Sequence, residues 1–424
     1  MAKLWENLPP ELLELVLACL PVQVLCRFRL VCRRWNHLIT QPGFASLCAQ
    51  TPKQAPSILI TPKLVEFTAQ RGRVNWEILD MAEKRFYTLS DSFIDHYFHG
   101  REFYAKCSNY TLASDGGLVY AMYFDFEHHL RHIVCNPVSK SFHHIPAPEY
   151  QFSYHRDIVV MSVDNATQSY RIIVMEAYGS TTSRQEEVHL YDSTTNKWRK
   201  LCEALPGEDY FAYSSIFLDG VPYTLFVDTS IIPWSPKLYS YDLVTGKWRY
   251  IDVELPQILH AQDKSLLVVA LGRLFFVEYT GLPMYPFIDM TMWEDFIDLE
   301  TWSTRMKKRH QIKVRVSEIV LGKELEVIKV AEMPKFSKYP REMLQKHRSG
   351  PTVMGDAVVA LGCGNSVVIL SLLGRSVGWD LVKSCWYELP ANTEHINDKC
   401  RYGIYAGLVQ LDLREMSGDT CRIG

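Results

Sequence analysis

Two segments in the middle of the chain follow one pattern. Residues 191–201 read YDSTTNKWRKL, and residues 241–251 read YDLVTGKWRYI. In each, a strand-like start ends on an aspartate, and four turn-forming residues precede a Lys-Trp pair that opens a return strand. Turn residues between two strand-like runs predict a β-hairpin. The tryptophan lies six positions after the aspartate, and an aliphatic residue lies nine positions after the same aspartate.

The same spacing recurs in other parts of the chain. The polar anchors of the clear copies are Asp80, Asn136, Asp192, Asp242 and Asp380, and the aromatic residues six positions on are Phe86, Phe142, Trp198, Trp248 and Trp386. A weaker copy starts at Glu318, which has Val327 nine positions on but lacks the aromatic residue. A repeat of about fifty residues or more that is built from strand pairs is typical of a β-propeller with four strands in each blade. The three tryptophans are expected to lie between blades.

The copies also predict the number of blades. Residues 57–89 carry an anchor hairpin with too few strands before it, whereas residues 402–413 carry strand-like sequence with no hairpin after it. We therefore expect the two ends to complete one blade together, because this closure leaves no free sheet edge in the ring. The fold class is mainly β, and residues 57–424 are expected to form a single propeller of six blades, with seven as the alternative.

The beginning of the chain has a helical pattern instead. Asn7 suits the cap of a helix over residues 7–20, with prolines in the first turn and Pro21 at its end. Residues 30–39 form a second amphipathic pattern. The leucines of the first helix cover more than one face, and a module of about forty residues is too small to bury all of them. This helical module therefore needs a partner surface.

These helical residues resemble an F-box. The runs LPPELL at 8–13, LP at 20–21 and RLVCRRWNHLI at 29–39 have the order and spacing of that motif. The resemblance implies that the module docks on a Skp-type adaptor, which joins a cullin–RING ubiquitin ligase. The residues implied to face the adaptor are Leu8, Pro9, Leu12, Leu13, Leu20, Pro21 and Leu25. For each leucine, packing inside the module is the alternative.

The resemblance also sets the domain limits that we expect. Residues 1–50 are assigned to the F-box and residues 51–56 to a linker that contains prolines. Val31, Cys32 and Trp35 are expected mainly in the core of the module rather than on its surface.

The repeat region resembles the kelch-type or F-box-associated propellers of plant F-box proteins. The runs GLVY at 117–120, IVCNPVSKSF at 133–142 and IP at 145–146 match one of their blades, although the paired glycines of kelch repeats occur only at Gly116 and Gly117. In that family the F-box recruits the ligase and the propeller holds the target. The resemblance implies a non-catalytic substrate-recognition subunit of an SCF-type (Skp–cullin–F-box) E3 ubiquitin ligase that needs no cofactor. The alternative is a propeller that binds proteins outside a ligase, such as a transcriptional cofactor.

The connections between blades are rich in Tyr, Arg and His. Tyr and Arg are enriched among binding hot spots, and a rigid ring presents them at a low cost in ordering. The candidate substrate-binding residues are Arg101, Tyr154, His155, Arg156, Tyr210, Tyr213, His260, Arg348, Arg401 and Tyr402. The alternative for each is packing near the propeller channel.

Composition narrows the classes of partner. The 424 residues carry 45 basic and 48 acidic side chains, a formal charge of −3, and this balance disfavours direct binding to nucleic acid. The eleven cysteines include no CxxC pair, which favours reduced thiols in the nucleus and cytoplasm. The start of the chain lacks the pattern of a signal peptide, and no apolar run approaches the roughly 20 residues that span a bilayer. We expect neither a metal nor a membrane partner.

Three chemical alternatives are weaker. The histidines His128, His129, His132, His143 and His144 could indicate a metal, but no cysteine or carboxylate has ligand spacing. Cys19, Cys26 and Cys32 could carry a ubiquitin thioester, but apolar helix faces explain them better. A copper radical oxidase shares the propeller architecture, but its ligand set cannot be located, and a fold alone does not carry function.

One dense basic run is a different kind of candidate. Residues 305–310 with Lys313 and Arg315 follow an acidic stretch at 289–300. This segregation of charge predicts an insertion with helical character. It could serve as a nuclear-localisation or partner-binding patch, or it could be a solvated surface insertion.

Overall fold

The fold is taken from a computed structural model of the chain. It describes residues 8–20, 22–41, 43–44, 47–48, 57–62, 76–89, 111–124, 130–137, 141–148, 158–164, 167, 169–175, 188–202, 210–228, 233–258, 264–280, 312–337, 358–371, 376–390 and 404–409.

The N-terminal module contains three described helices. They are α1 (Pro10–Ala18), α2 (Val22–Phe28) and α3 (Arg33–Ile39). Helix α1 begins after Pro9, and the proline at its first position costs no hydrogen bond because the first N–H groups of a helix lack intrahelical partners. The second predicted helix begins three residues later than expected, since Cys32 is extended and its Sγ accepts the Trp35 N–H at 3.5 Å.

The rest of the described chain forms six four-stranded antiparallel sheets, which confirms the predicted six-bladed propeller. Blade 1 contains β24 (Ile404–Val409), β1 (Ser57–Pro62), β2 (Trp76–Asp80) and β3 (Arg85–Leu89); blade 2 contains β4 (Thr111–Asp115), β5 (Leu118–Phe124), β6 (Leu130–Asn136) and β7 (Ser141–Ile145); blade 3 contains β8 (Ile158–Asp164), β9 (Ser169–Met175), β10 (Val188–Asp192) and β11 (Lys197–Cys202). Blade 4 contains β12 (Tyr210–Leu218), β13 (Val221–Asp228), β14 (Ser235–Asp242) and β15 (Lys247–Ile251); blade 5 contains β16 (Lys264–Ala270), β17 (Arg273–Thr280), β18 (Ile312–Leu321) and β19 (Leu325–Ser337); blade 6 contains β20 (Val358–Cys363), β21 (Ser366–Ser371), β22 (Val377–Asp380) and β23 (Cys385–Glu388).

The blades close into a ring through their first strands. Strand β24 contacts β4, and contacts continue through β8, β12, β16 and β20 back to β24, so these six strands line the centre. Blade 1 joins both ends of the chain, because β24 pairs with β1 from Ile404–Pro62 to Val409–Ser57. The ring has two faces. The turn face carries the hairpins between the first and second and between the third and fourth strands of a blade, and the loop face carries the other connections.

The repeated aspartate explains why the hairpin recurs. Asp80 Oδ1 accepts the backbone N–H groups of Ala82 and Glu83 at 2.8 and 2.9 Å, and Asp380 Oδ1 accepts two turn N–H groups at 2.9 Å each. Asp192 and Asp242 hold their turns in the same way. Hydrogen bonds from the side chain and backbone of Thr245 lower the pKa of Asp242. A residue with positive φ then ends each turn: Lys84, Asn196, Gly246 and Ser384.

Blade 5 departs from the repeat. The weak copy anchored at Glu318 predicts a turn directly after that residue, but β18 runs on to Leu321 and the turn occupies residues 322–324. Ile319 pairs with Val327, and Leu321 pairs with Leu325. The anchor position was therefore wrong, because Glu318 is engaged elsewhere: its carboxylate accepts hydrogen bonds from the Nε and Nη2 of Arg273.

The three expected interblade tryptophans do lie between blades. The Trp198 Nε1–H donates to the Pro146 carbonyl of blade 2 at 2.7 Å. Trp248 packs on the cluster between blades 3 and 4, and Trp386 packs on the cluster between blades 5 and 6. Each tryptophan side chain therefore fixes its own hairpin to the neighbouring blade.

A buried histidine–tyrosine pair lies within blade 2, and a partly buried pair joins blades 2 and 3. The His132 Nδ1 lies 2.7 Å from the Tyr120 hydroxyl, and the His143 Nε2 lies 2.7 Å from the Tyr170 hydroxyl. The His132 ring meets the edge of Trp198 at a centroid distance of 5.6 Å. Burial lowers the pKa of His132 to about 3 and lowers that of His143 as well.

These pKa values predict an acid-sensitive fold. His132 stays neutral in the native state but protonates near pH 6.5 once unfolded, so its contribution is complete above pH 6.5 and is lost as the pH falls from 6.5 towards 3. Between pH 7 and pH 5, His132 alone should cost about 2 kcal/mol of unfolding free energy. Urea unfolding at several pH values measures this slope. The variant His132→Gln should flatten it, and an unchanged slope in that variant would assign the acid sensitivity to other groups.

Candidate protein-interaction site

The helical module separates its apolar side chains into two sets. Leu13, Leu17 and Leu25 are fully buried together with Ile39 and Phe44 in the module's core. The opposite side of α1 carries Leu12, Leu15 and Val16, which are 49%, 45% and 40% exposed. Their i, i+3, i+4 spacing places them on one helix face. We call these three residues the α1 stripe.

The structure divides the residues expected to face an adaptor. Pro9 is exposed beside the α1 stripe, and Leu8 and Leu20 are partly buried against the core. Leu13 and Leu25 are 0% and 1% exposed, so the expectation that they face a partner is corrected: both fill the core between the helices. Pro21 lies outside the described residues.

The sequence reasoning missed part of the apolar surface. Leu30 and Val31 are 88% and 62% exposed at the turn between α2 and α3. Val31 and Cys32 are therefore not core residues as expected, because the chain is not yet helical there and points both outward. Trp35 does pack on the core, with its ring 4.9 Å from that of Phe28. A helix start at Arg33, signalled by the capping position of Cys32, would have placed Leu30 and Val31 in the preceding turn.

Two of the ten candidate substrate-binding residues are described, and both lie on β12. Tyr210 opens this strand at the loop face and is partly exposed. Tyr213 is also partly exposed, and it packs on the apolar cluster between blades 4 and 5, which agrees with the alternative of packing for this residue. Arg101, Tyr154, His155, Arg156, His260, Arg348, Arg401 and Tyr402 lie outside the described residues.

Around Tyr210 the loop face carries a cluster of one lysine and three tyrosines. The Lys237 Nζ donates a hydrogen bond to the Tyr210 hydroxyl and lies 4.9 Å from the centre of that ring. Tyr239 packs against Tyr250 with tilted rings whose centroids lie 5.3 Å apart. The hydrogen bond to Tyr210 raises the pKa of Lys237, so its ammonium stays charged. We call these four residues the blade 4 cluster.

The weaker chemical alternatives gain no support within the described residues. No group of three His, Cys, Asp or Glu side chains there could hold a metal ion. His132 and His143 pair with tyrosines, and His128 and His129 lie outside the described ranges. Burial raises the pKa of Cys135 and of Cys363 to about 12, which keeps both thiols protonated. Of the helices in the described part of the chain, none is long and apolar enough to cross a bilayer.

The end of the basic run belongs to a blade. Lys313 and Arg315 lie in β18, and the Arg315 guanidinium lies 3.4 Å from the Glu278 carboxylate. These two residues therefore do not form part of a helical insertion. Residues 289–310 lie outside the described residues.

Comparison with known families matches both parts of the chain. Residues 5–47 match the F-box domain, and residues 64–311 match the "F-box protein At3g26010-like, beta-propeller" family. The chain belongs to this family of F-box β-propeller proteins. As an F-box propeller protein, it has the α1 stripe within its F-box and the blade 4 cluster within the part of the ring that the family model covers.

Curated relatives of this F-box propeller protein come from Arabidopsis thaliana. "F-box only protein 6" is 26% identical over 282 residues, which are 63% of this chain and 53% of the relative. "F-box/kelch-repeat protein At5g43190" is 25% identical and covers 58% of this chain and 54% of the relative. "Protein UNUSUAL FLORAL ORGANS" is 24% identical, with 64% and 62% covered. The matched part of the chain thus spans about half the length of the first two relatives.

Proposed function

We propose that this F-box protein is the substrate-recognition subunit of an SCF-type E3 ubiquitin ligase. Its F-box binds a Skp-type adaptor through the α1 stripe, and its propeller binds the protein to be ubiquitinated. The observation that carries the proposal is the α1 stripe, three adjacent apolar side chains that are 40–49% exposed on a helix whose opposite side buries Leu13 and Leu17. Exposed apolar groups gathered on one face mark a protein interface.

In this proposal the chain itself makes and breaks no covalent bond. Its role is to hold the target near a conjugating enzyme that carries ubiquitin, which turns a bimolecular encounter into an effectively intramolecular one. The propeller suits this role because its six blades form a rigid platform on which surface groups are already ordered. We further propose that the protein acts in the nucleus and cytoplasm.

The path of the chain supports a division of labour between the two faces of the ring. Ser57 begins β1 at the turn face, since β1 is the second strand of blade 1. Eight residues, 49–56, separate it from Cys48 in the F-box module, and an extended link of this length reaches about 30 Å. The linker therefore joins the ring at its turn face, and we propose that the loop face receives the target.

Affinity capture from cells tests the proposal. The wild-type chain should co-purify with a Skp-type adaptor and a cullin. Proximity labelling should enrich proteins whose abundance rises when the proteasome is inhibited. A variant with Leu12→Asp and Leu15→Asp should lose adaptor and cullin but keep the labelled targets. If the labelled proteins keep a normal turnover in cells that carry only the variant, the propeller acts outside a ligase and the proposal fails.

A further inference from the structure

The blade 4 cluster holds a positive charge that is not paired with a carboxylate of the described part of the chain. Lys237 is partly buried, and the groups that act on its ammonium are the hydroxyls of Tyr210, Tyr239 and Tyr250. Among the described residues, no carboxylate lies within 4.0 Å of its Nζ. Tyrosine oxygens and ring faces stabilise a cation only in part, so a charge in this setting gains from an added anion.

Five other described cations of the propeller have carboxylates within ion-pair distance. The pairs are Arg171 with Asp192, Arg273 with Glu318, Arg315 with Glu278, Lys329 with Glu332 and Lys383 with Asp380. Lys84, which also lies over a tyrosine ring, is exposed to solvent at the turn face. Lys237 thus combines partial burial, tyrosine partners and the loop face.

The donors of the cluster are arranged to receive an anion. Lys237 donates to the oxygen of Tyr210, so the Tyr210 hydroxyl hydrogen remains available as a donor. The lysine keeps further N–H groups, and the Tyr239 and Tyr250 hydroxyls add two more donors. Tyr250 is 46% exposed, so a ligand can approach the cluster from solvent. Charge-assisted hydrogen bonds of this kind are stronger than neutral ones.

We propose that the blade 4 cluster is an anion-binding pocket that recognises an acidic group on the target protein, either a glutamate or aspartate carboxylate or a phosphorylated side chain. The proposal rests on the proposed function, since it places target recognition on the loop face. Three of the four residues lie near the loop-face ends of their strands: Tyr210 opens β12, Lys237 is the third residue of β14, and Tyr250 precedes the end of β15. Tyr239 lies in the middle of β14, directly opposite Tyr250.

Immobilised peptide libraries with one fixed central residue and random flanks test this pocket. The central residue is glutamate, phosphoserine or, as the neutral reference, glutamine, and the probe is the purified full-length chain. Wild type should be retained on the glutamate or the phosphoserine library about tenfold more than on glutamine, as hydrogen bonds to charged groups require. Preference for one acidic library identifies the source of the anion. Lys237→Met should lower retention to the glutamine level, and Lys237→Arg should keep most of it.

A matched control separates the pocket from net charge. Lys247→Met removes the same charge from an exposed position at the turn-face end of blade 4 and should leave the acidic preference intact. Equal retention of wild type on acidic and glutamine libraries, or an unchanged preference in Lys237→Met, overturns the proposal. Adaptor capture by the same preparations is read separately. It should be equal for wild type and Lys237→Met, and its absence in wild type would refute the ligase function without deciding the pocket.

Discussion

Replacing Gly362 with alanine should destabilise the propeller by about 3 kcal/mol or more. Gly362 lies in β20, and a Cβ at this position would sit 1.8 Å from the carbonyl oxygen of Val269 and 2.6 Å from its carbonyl carbon. Val269 belongs to β16, the innermost strand of blade 5. Because the obstacle is backbone rather than a flexible side chain, relief requires blades 5 and 6 to separate. Urea unfolding of the full-length chain measures the loss.

Gly322→Ala is the matched control for this prediction. Its added Cβ would lie 3.7 Å from its nearest neighbour, an ordinary contact, so its unfolding free energy should stay within about 0.5 kcal/mol of wild type. If Gly362→Ala is as stable as wild type, strands β16 and β20 do not pack as closely as the short distance between position 362 and the Val269 carbonyl implies.

The double substitution Leu12→Asp with Leu15→Asp should reduce affinity for a Skp-type adaptor by about 100-fold or more, because it places two carboxylates at the centre of an apolar contact. Both side chains are about half exposed, so the module should remain folded. Titration of the purified full-length chain against immobilised adaptor measures the loss, and circular dichroism checks the helices.

A second double variant makes the same chemical change elsewhere. Val244→Asp with Val382→Asp adds two carboxylates at turn-face positions that are 94% and 70% exposed on the propeller. Adaptor affinity should equal that of wild type. A similar loss in both double variants would attribute the effect to added negative charge rather than to the α1 stripe.

The local parts of the fold were predictable from sequence. A polar anchor before a four-residue turn, with an aromatic ring six positions later, acts within one hairpin, so five copies could be recognised directly, four with an aspartate and one with Asn136. Blade 5 was misread because its hairpin uses neither device: Glu318 binds Arg273 across 45 residues, and the turn moves to Gly322. A partner that distant leaves no periodic trace in the sequence.

The candidate sites depended on longer-range information. Leu12 and Leu13 are adjacent leucines, yet one is 49% exposed and the other fully buried, because only the packing of α1 on the other helices selects the inner face. Tyr210 was predicted at the loop face, but its partner Lys237 lies 27 positions away across an intervening strand. The sequence alone therefore offered a candidate tyrosine without the charge that makes it an anion-binding candidate.

In the proposed function, the F-box module joins this propeller to a Skp-type adaptor. Size-exclusion chromatography with light scattering, run on the purified 49.0 kDa chain with and without equimolar adaptor, measures it most directly. We expect one peak with the summed mass of one chain and one adaptor for the wild type, and separate peaks for the Leu12→Asp, Leu15→Asp variant. Separate peaks for the wild-type chain would contradict it.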